Sequence, residues 1–145
     1  MPYLVLKSQI IYIYTYLVKM VFFRDMSNDG SVNWPGNVLE SIDQFNELVK
    51  NSHTKPQFIF KHSTRCSISL FVLNDFISSN IGFDDNIEGW YLDILRYRSI
   101  SNLIADNLVV NHQSPQLIII VDGTACEHNS HENIKNIKLS DYFKS

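Results

Sequence analysis

The segment Gln57-Phe58-Ile59-Phe60-Lys61 is a short, continuous apolar run that passes into a polar stretch, His62-Ser63-Thr64-Arg65, and then into Cys66 at the head of a helical apolar pattern. An apolar run of that length without alternation is what a strand buried on both faces shows, and such strands belong to α/β sheets with helices on each side. The order is therefore strand, loop, helix. The loop leaves the carboxyl end of the strand, and Cys66 falls in the first turn of the helix, where unpaired backbone N–H groups and the positive end of the helix dipole favour a thiolate. Lys61, His62 and Arg65 are expected to push the same way.

The four residues Cys66-Ser67-Ile68-Ser69 have the frame of a Cys-x-x-Cys redox motif with Ser69 in place of the second cysteine. That leaves one nucleophile and no internal resolving thiol. A single cysteine also serves as a small buried hydrophobe, so the rest of the chain has to decide between the two roles.

The remaining elements follow from period and punctuation. Ser41-Ile42-Asp43-Gln44 reads as a capping box, and Ile42, Phe45, Leu48 and Val49 then form one face of a helix running to about Lys50. After Cys66, the residues Ile68, Phe71, Val72, Asp75, Phe76 and Ile77 give the stripe of a helix ending near Asn80-Ile81-Gly82. Trp90-Tyr91-Leu92-Asp93-Ile94-Leu95 makes a second strand, and Ser99 caps a short helix reaching Asn107. The stretch His112-Gln113-Ser114-Pro115-Gln116-Leu117-Ile118-Ile119-Ile120-Val121 gives a third, apolar strand that opens with a proline. Asp122-Gly123 is a strong hairpin signal that turns it back into Thr124-Ala125-Cys126-Glu127. Ser130 caps a final helix whose Ile134, Ile137 and Leu139 face inward.

Residues 1–31 form an extension ahead of a single domain at 32–145. The run Ile10 to Val18 is apolar and aromatic, and Met20-Val21-Phe22-Phe23 follows Lys19. Three readings compete: a membrane anchor, an extra edge strand, and a mis-called start with translation beginning at Met20 or Met26. The last is favoured. The uninterrupted run is shorter than the roughly 18 residues that a spanning helix needs, Lys19 would lie inside any longer span, and no small-x-small cleavage pattern follows. The Asn, Asp, Gly, Ser and Pro of Ser27 to Gly36 then mark a connection.

With 145 residues, of which 45% are hydrophobic, the domain can build a core that needs no disulfides. A formal net charge of −3 and no cluster of Lys and Arg beside aromatics argue against nucleic acid as a partner. Two cysteines, Cys66 and Cys126, are too few for a secreted disulfide framework and suit a reducing compartment, so the cytoplasm is expected.

Helix, strand, Cys-bearing helix, strand, helix, proline-led strand, hairpin, strand and helix is the order of the thioredoxin fold. It is an α/β fold with a central mixed sheet of about four strands flanked by helices. The stretches Phe60-Lys61-His62-Ser63-Thr64-Arg65-Cys66-Ser67-Ile68-Ser69, Tyr97-Arg98-Ser99-Ile100-Ser101 and His112-Gln113-Ser114-Pro115-Gln116 resemble, in order, the monothiol bacilliredoxins, the YtxJ family. The likeness runs from about Val32 to Lys138.

That resemblance implies a thiol-disulfide oxidoreductase of the bacillithiol system. Cys66 would be the attacking residue, with Thr64, Arg65, Ser69, Ser114 and Pro115 supporting it or meeting substrate. Pro115 would be cis beside the cysteine, and Ser114 would offer backbone groups to an extended substrate. The implied partners are client proteins carrying cysteine mixed disulfides and a low-molecular-weight thiol, bacillithiol, as co-substrate, with no bound cofactor. Family members often carry proline after the cysteine where this chain has Ser67, so the likeness does not fix the potential of the thiol.

Two rivals of other classes share the fold. Some single-cysteine relatives of glutaredoxin hold an iron–sulfur cluster between two subunits, and a non-catalytic module would have a buried, unreactive Cys66. Cys126 is read as packing or incidental exposure rather than as a resolving thiol. Cys126-x-His128-x-x-His131 invites a zinc reading, but its spacing is not that of a standard structural site and no fourth ligand is evident, so no metal is assigned. Arg98 is equally suited to a carboxylate within the fold and to a substrate group.

Overall fold

The computed structural model describes residues 32–80 and 82–142, and the architecture below is that of the unit from Trp34 onward. The three readings of the N-terminal extension lie outside the described residues.

The elements are β1 (Asn37–Val38), α1 (Ile42–Asn51), β2 (Gln57–His62), α2 (Ser67–Ser79), β3 (Glu88–Asp93), α3 (Arg98–Leu108), β4 (Gln116–Val121) and β5 (Thr124–Ser130). Two 3-10 turns, His131–Asn136 and Leu139–Tyr142, follow. The five strands form one sheet in the order β1-β3-β2-β4-β5. β1, β3 and β2 run parallel, while β4 is antiparallel to both β2 and β5. The expected mixed sheet is therefore present. Its fifth strand is β1, whose two residues pair with Trp90 and Tyr91 and are too few to carry a periodic signal.

Every residue of β2 is buried, as its unbroken apolar run requires. Alternate residues feed two cores. Ile59 joins Phe45 and Leu48 of α1 and Ile100 and Ile104 of α3 on one side of the sheet. Phe58 and Phe60 point the other way into an aromatic cluster, with ring centroids 5.2 Å apart for Phe60 and Phe76 and 5.0 Å for Phe58 and Phe83. Gly89 sits opposite Phe58 in the register, and a Cβ there would come within 2.4 Å of the Phe58 ring, so the position has no room for a side chain.

The capping box forms as expected: Ser41 Oγ accepts from Gln44 N–H at 3.2 Å, and Gln44 Oε1 accepts from Ser41 N–H at 3.1 Å. The hairpin forms too. Asp122 and Gly123 both have positive φ, 51° and 78°, the conformation of a type I′ turn.

Five local expectations are corrected. The buried face of α2 is Ser69, Leu73, Phe76 and Ile77, at the helical spacing i, i+4, i+7, i+8, whereas Ile68 is 66% and Phe71 74% exposed. Ile42, placed on the inner face of α1, is 50% exposed. β3 begins at Glu88 and stops at Asp93, because the Asp93 carboxylate accepts the Leu95 N–H at 3.0 Å and turns the chain. α3 then starts at Arg98, with Tyr97 in the capping position and Ser99 exposed inside the first turn. The final segment is not an α-helix. Ser130 ends β5 and makes no side-chain cap, and the chain continues as two short 3-10 turns separated by an extended Ile137. Ile134, Ile137 and Leu139 are buried all the same.

Candidate functional site

Because β2 and β3 run parallel and β4 runs against β2, the carboxyl ends of β2 and β3 meet the amino end of β4. His62 pairs with Asp93, and Lys61 pairs with Gln116. Three chain segments therefore converge at one end of the sheet: the loop 63–66, the turn 94–97 with the start of α3, and the approach 109–115 to β4. Each overlaps one of the three stretches singled out in the sequence.

Cys66 is the N-cap residue of α2, in extended backbone at φ −112° and ψ 114°. Its N–H donates to Ser63 O at 3.1 Å, and its carbonyl accepts the first helical bond, from Leu70 N–H, at 3.0 Å. The side chain makes no capping hydrogen bond, and the residue stands half-buried at the head of the helix. Thr64 and Arg65 precede it and are exposed, and Thr64 Oγ1 lies 3.5 Å from Asp93 Oδ2 across the strand end.

Ser69, in the position a second cysteine would take, is fully buried. Its Oγ lies 2.7 Å from His62 Nδ1 and accepts the Ser63 N–H at 3.2 Å. The hydroxyl thus joins the end of β2, the loop and the first turn of α2.

Lys61 and His62 are not exposed cations flanking the thiol, as the sequence suggested. They are 0% and 1% exposed and point to opposite faces of the sheet. Lys61 Nζ reaches under α3 and donates to Ser101 O at 3.2 Å, and desolvation lowers its pKa to about 8. Burial also holds the His62 imidazole below its ordinary range, although the Asp93 carboxylate and the bond to Ser69 pull it back up. Of the cations expected beside Cys66, only Arg65 is exposed at the site.

On the α3 face, Ser101 Oγ lies 3.1 Å from His112 Nδ1, and Gln116 Nε2 donates to Asn111 O at 2.9 Å. Partial desolvation, then the charges of Lys61 and Arg98, hold His112 below its usual pKa. Arg98 is exposed in the first turn of α3 and makes no ion pair among the described residues. The Ser114-Pro115 peptide is cis, Pro115 is buried, and Pro115 O accepts from His131 N–H at 3.1 Å. Ser114 Oγ is enclosed and has no hydrogen-bond partner among the described residues. Asp93 and the Lys61–Ser101–His112 cluster were not recognised from the sequence as a group. Thr64 meets Asp93 across 29 residues of chain and Lys61 meets Ser101 across 40, and no local pattern encodes these contacts.

Cys126 lies elsewhere. The β4–β5 register jumps from Ile119–Glu127 to Ile120–Ala125, which makes Cys126 the extra residue of a bulge on the edge strand. Its Sγ donates to Ile119 O at 3.5 Å, and burial pushes the thiol up. Ile119 pairs with Phe58, four residues before His62, so Cys126 is about 13 Å along the strands from the Cys66 end. A disulfide between the two would need the Cα atoms to come within about 7 Å, so Cys126 cannot resolve Cys66 in this fold. Among the described residues, no group of three or more His, Cys, Asp or Glu side chains could hold a metal ion. Nor is any described helix long and apolar enough to cross a membrane.

The comparisons agree with this geometry. Among solved structures, a proposed oxidoreductase with a thioredoxin fold is 30% identical, with a TM-score of 0.55 over 68% of this chain and 85% of that one. Thioredoxin O2 from Arabidopsis thaliana, at 16% identity, superposes with a TM-score of 0.58 over 78% of this chain and 98% of its own. Thioredoxin from Trypanosoma brucei brucei, at 14% identity, gives 0.55 over 77% and 88%. The last two bear on the fold alone. The sequence model described as monothiol bacilliredoxin BrxC matches residues 37–139, a span that holds all three converging segments and every core strand. The chain belongs to the monothiol bacilliredoxin family, thioredoxin-fold proteins of thiol redox chemistry.

Proposed function

We propose that the protein removes a low-molecular-weight thiol, bacillithiol, from mixed disulfides on client proteins, with Cys66 as the nucleophile. The Cys66 thiolate attacks the sulfur of the small thiol, the client–sulfur bond breaks, and the client cysteine leaves as a thiolate that takes up a proton. Cys66 now carries the small thiol as a mixed disulfide. A second small thiol, as thiolate, attacks that adduct, releases the oxidised small-thiol dimer and restores Cys66. Each step exchanges one S–S bond for another, with no net change in oxidation state. The small thiol is a co-substrate, and no bound cofactor takes part.

The observation that carries this reading is the pairing of Cys66, accessible at the helix head with its sulfur uncommitted, with a buried hydroxyl where a resolving thiol would stand. The cysteine can take up the small thiol as a mixed disulfide but cannot close a disulfide on itself. Thr64 and Arg65 are the exposed residues beside the sulfur and are assigned to substrate contact. Ser114 and Pro115 are assigned to client binding as well, with the backbone of Ser114 receiving an extended client segment. The clients are cytoplasmic proteins with exposed cysteines.

The test is a client enzyme whose cysteine is blocked by bacillithiol, with a parallel sample blocked by glutathione. The reduced protein is expected to restore activity of the bacillithiol-blocked client, Cys66→Ser to abolish this, and Cys126→Ser to leave it intact. Restoration by Cys66→Ser at the wild-type rate would overturn the proposal. Equal rates on both clients would widen the small-thiol assignment beyond bacillithiol. A brown protein that loses its colour in Cys66→Ser would point to cluster binding instead.

A further inference from the structure

The loop that carries Cys66 is closed at its base by one hydroxyl. Ser69 Oγ meets His62 Nδ1 at 2.7 Å and accepts the Ser63 N–H at 3.2 Å, so a single atom ties the last residue of β2 to the first residue of the loop and to the first turn of α2. Both side chains are almost wholly enclosed, at 0% for Ser69 and 1% for His62. The oxygen accepts from Ser63 and shares a second hydrogen bond with Nδ1, in which the donor follows from the tautomer of the imidazole. Away from water this arrangement has no solvent competitor, and the loss of either partner strands a buried polar group.

We propose that His62 and Ser69 are positioning residues for the exchange reaction. Together they hold residues 63–66 so that the Cys66 sulfur meets a client disulfide along the S–S axis. The inference rests on the exchange reading above and adds to it that the serine in the resolving position has a task of its own. Attack on a disulfide requires the entering and leaving sulfurs to be nearly collinear, and a protein client docked on the surface fixes the direction of that axis. A small, freely tumbling alkylating reagent imposes no such direction. Loosening the clamp should therefore slow exchange with a protein client while sparing the intrinsic reactivity of the thiol. The Thr64–Asp93 contact at 3.5 Å is too long to hold the loop in its stead.

The experiment compares wild type, Ser69→Ala, His62→Phe and the double variant. Three quantities are measured: the second-order rate of client release, the rate of Cys66 alkylation by iodoacetamide at one pH, and amide hydrogen exchange at Ser63. Each single variant should slow client release about tenfold, with the double variant no slower than either, because both remove the same bond. Alkylation should change by less than about twofold, and Ser63 should lose its protection in Ser69→Ala. Unchanged client release, additive losses, or alkylation falling as far as release would overturn the proposal. Should His62→Phe fail to fold, Ser69→Ala decides, since it deletes only one oxygen. Should wild type release no client at all, the exchange reading fails by itself, and the clamp is then judged on Ser63 protection, which must be present in wild type and lost in Ser69→Ala.

Discussion

Lys61 shows what burial does to a residue that looks like a surface cation. Its ammonium is fully enclosed, with a backbone carbonyl as its recorded partner, and its pKa lies at about 8 rather than 10.5. Between those two values the unfolded chain holds a proton that the folded chain has released, so stability rises with pH across that window and carries the full penalty below it. The penalty is on the order of 3 kcal/mol. Lys61→Met should therefore stabilise the protein at pH 7 by about 1–3 kcal/mol and remove the rise in stability between pH 8 and 10.5. Urea titrations at pH 7, 9 and 10 would check this; a Met variant less stable than wild type at pH 7 would mean that the ammonium is well compensated in the fold. Of the site residues, Cys66 was legible because its position at a helix head is a local property. The buried roles of Lys61 and His62 were not, since a strand-end Lys-His pair reads as solvated until the packing of α3 and α2 over the sheet is known.

At the scale of elements, α2 is the instructive case. Ile68, Leu70, Phe71, Val72, Leu73, Phe76 and Ile77 make it apolar nearly all round, so periodicity alone could not choose its inner face. The sheet chose the face of Ser69 and Leu73, leaving Ile68 and Phe71 in solvent. Leu73→Ala should then cost about 2–5 kcal/mol, and Phe71→Ala within about 0.5 kcal/mol of nothing. Chemical denaturation of the two variants separates them, and comparable losses would return Phe71 to the core. The start of α1 and the turn between β4 and β5 were readable to the residue because the capping box at Ser41 and Gln44 and the Asp122-Gly123 turn are codes of neighbouring residues. The last segment was not. Its inward residues were evident, but the break at Ile137 follows from how the chain crosses behind α2 and β5, not from its own propensity.

Across the whole molecule, the alternation of strands with helices was enough to give the mixed sheet and hence the convergence of three distant segments at one end. The register that places His62 against Asp93 and Lys61 against Gln116 was not, because register depends on pairing between strands. Among the described residues, the capping box and every strand lie after residue 36, as does the family match. A chain shortened to begin at Met26 is therefore expected to unfold cooperatively in urea; aggregation of that chain beside a stable full-length protein would assign the first 25 residues a structural part.

The central claim is that one thiol does the chemistry without a resolving partner. It is tested most directly by intact mass of the reduced protein after mixing with a bacillithiol-blocked client in the absence of free small thiol. The account predicts one bacillithiol adduct per chain, located on Cys66 by peptide mapping, with Cys126 unmodified and no loss of two hydrogens to an internal disulfide. An unmodified Cys66 beside a released client, or a Cys66–Cys126 disulfide, would contradict it.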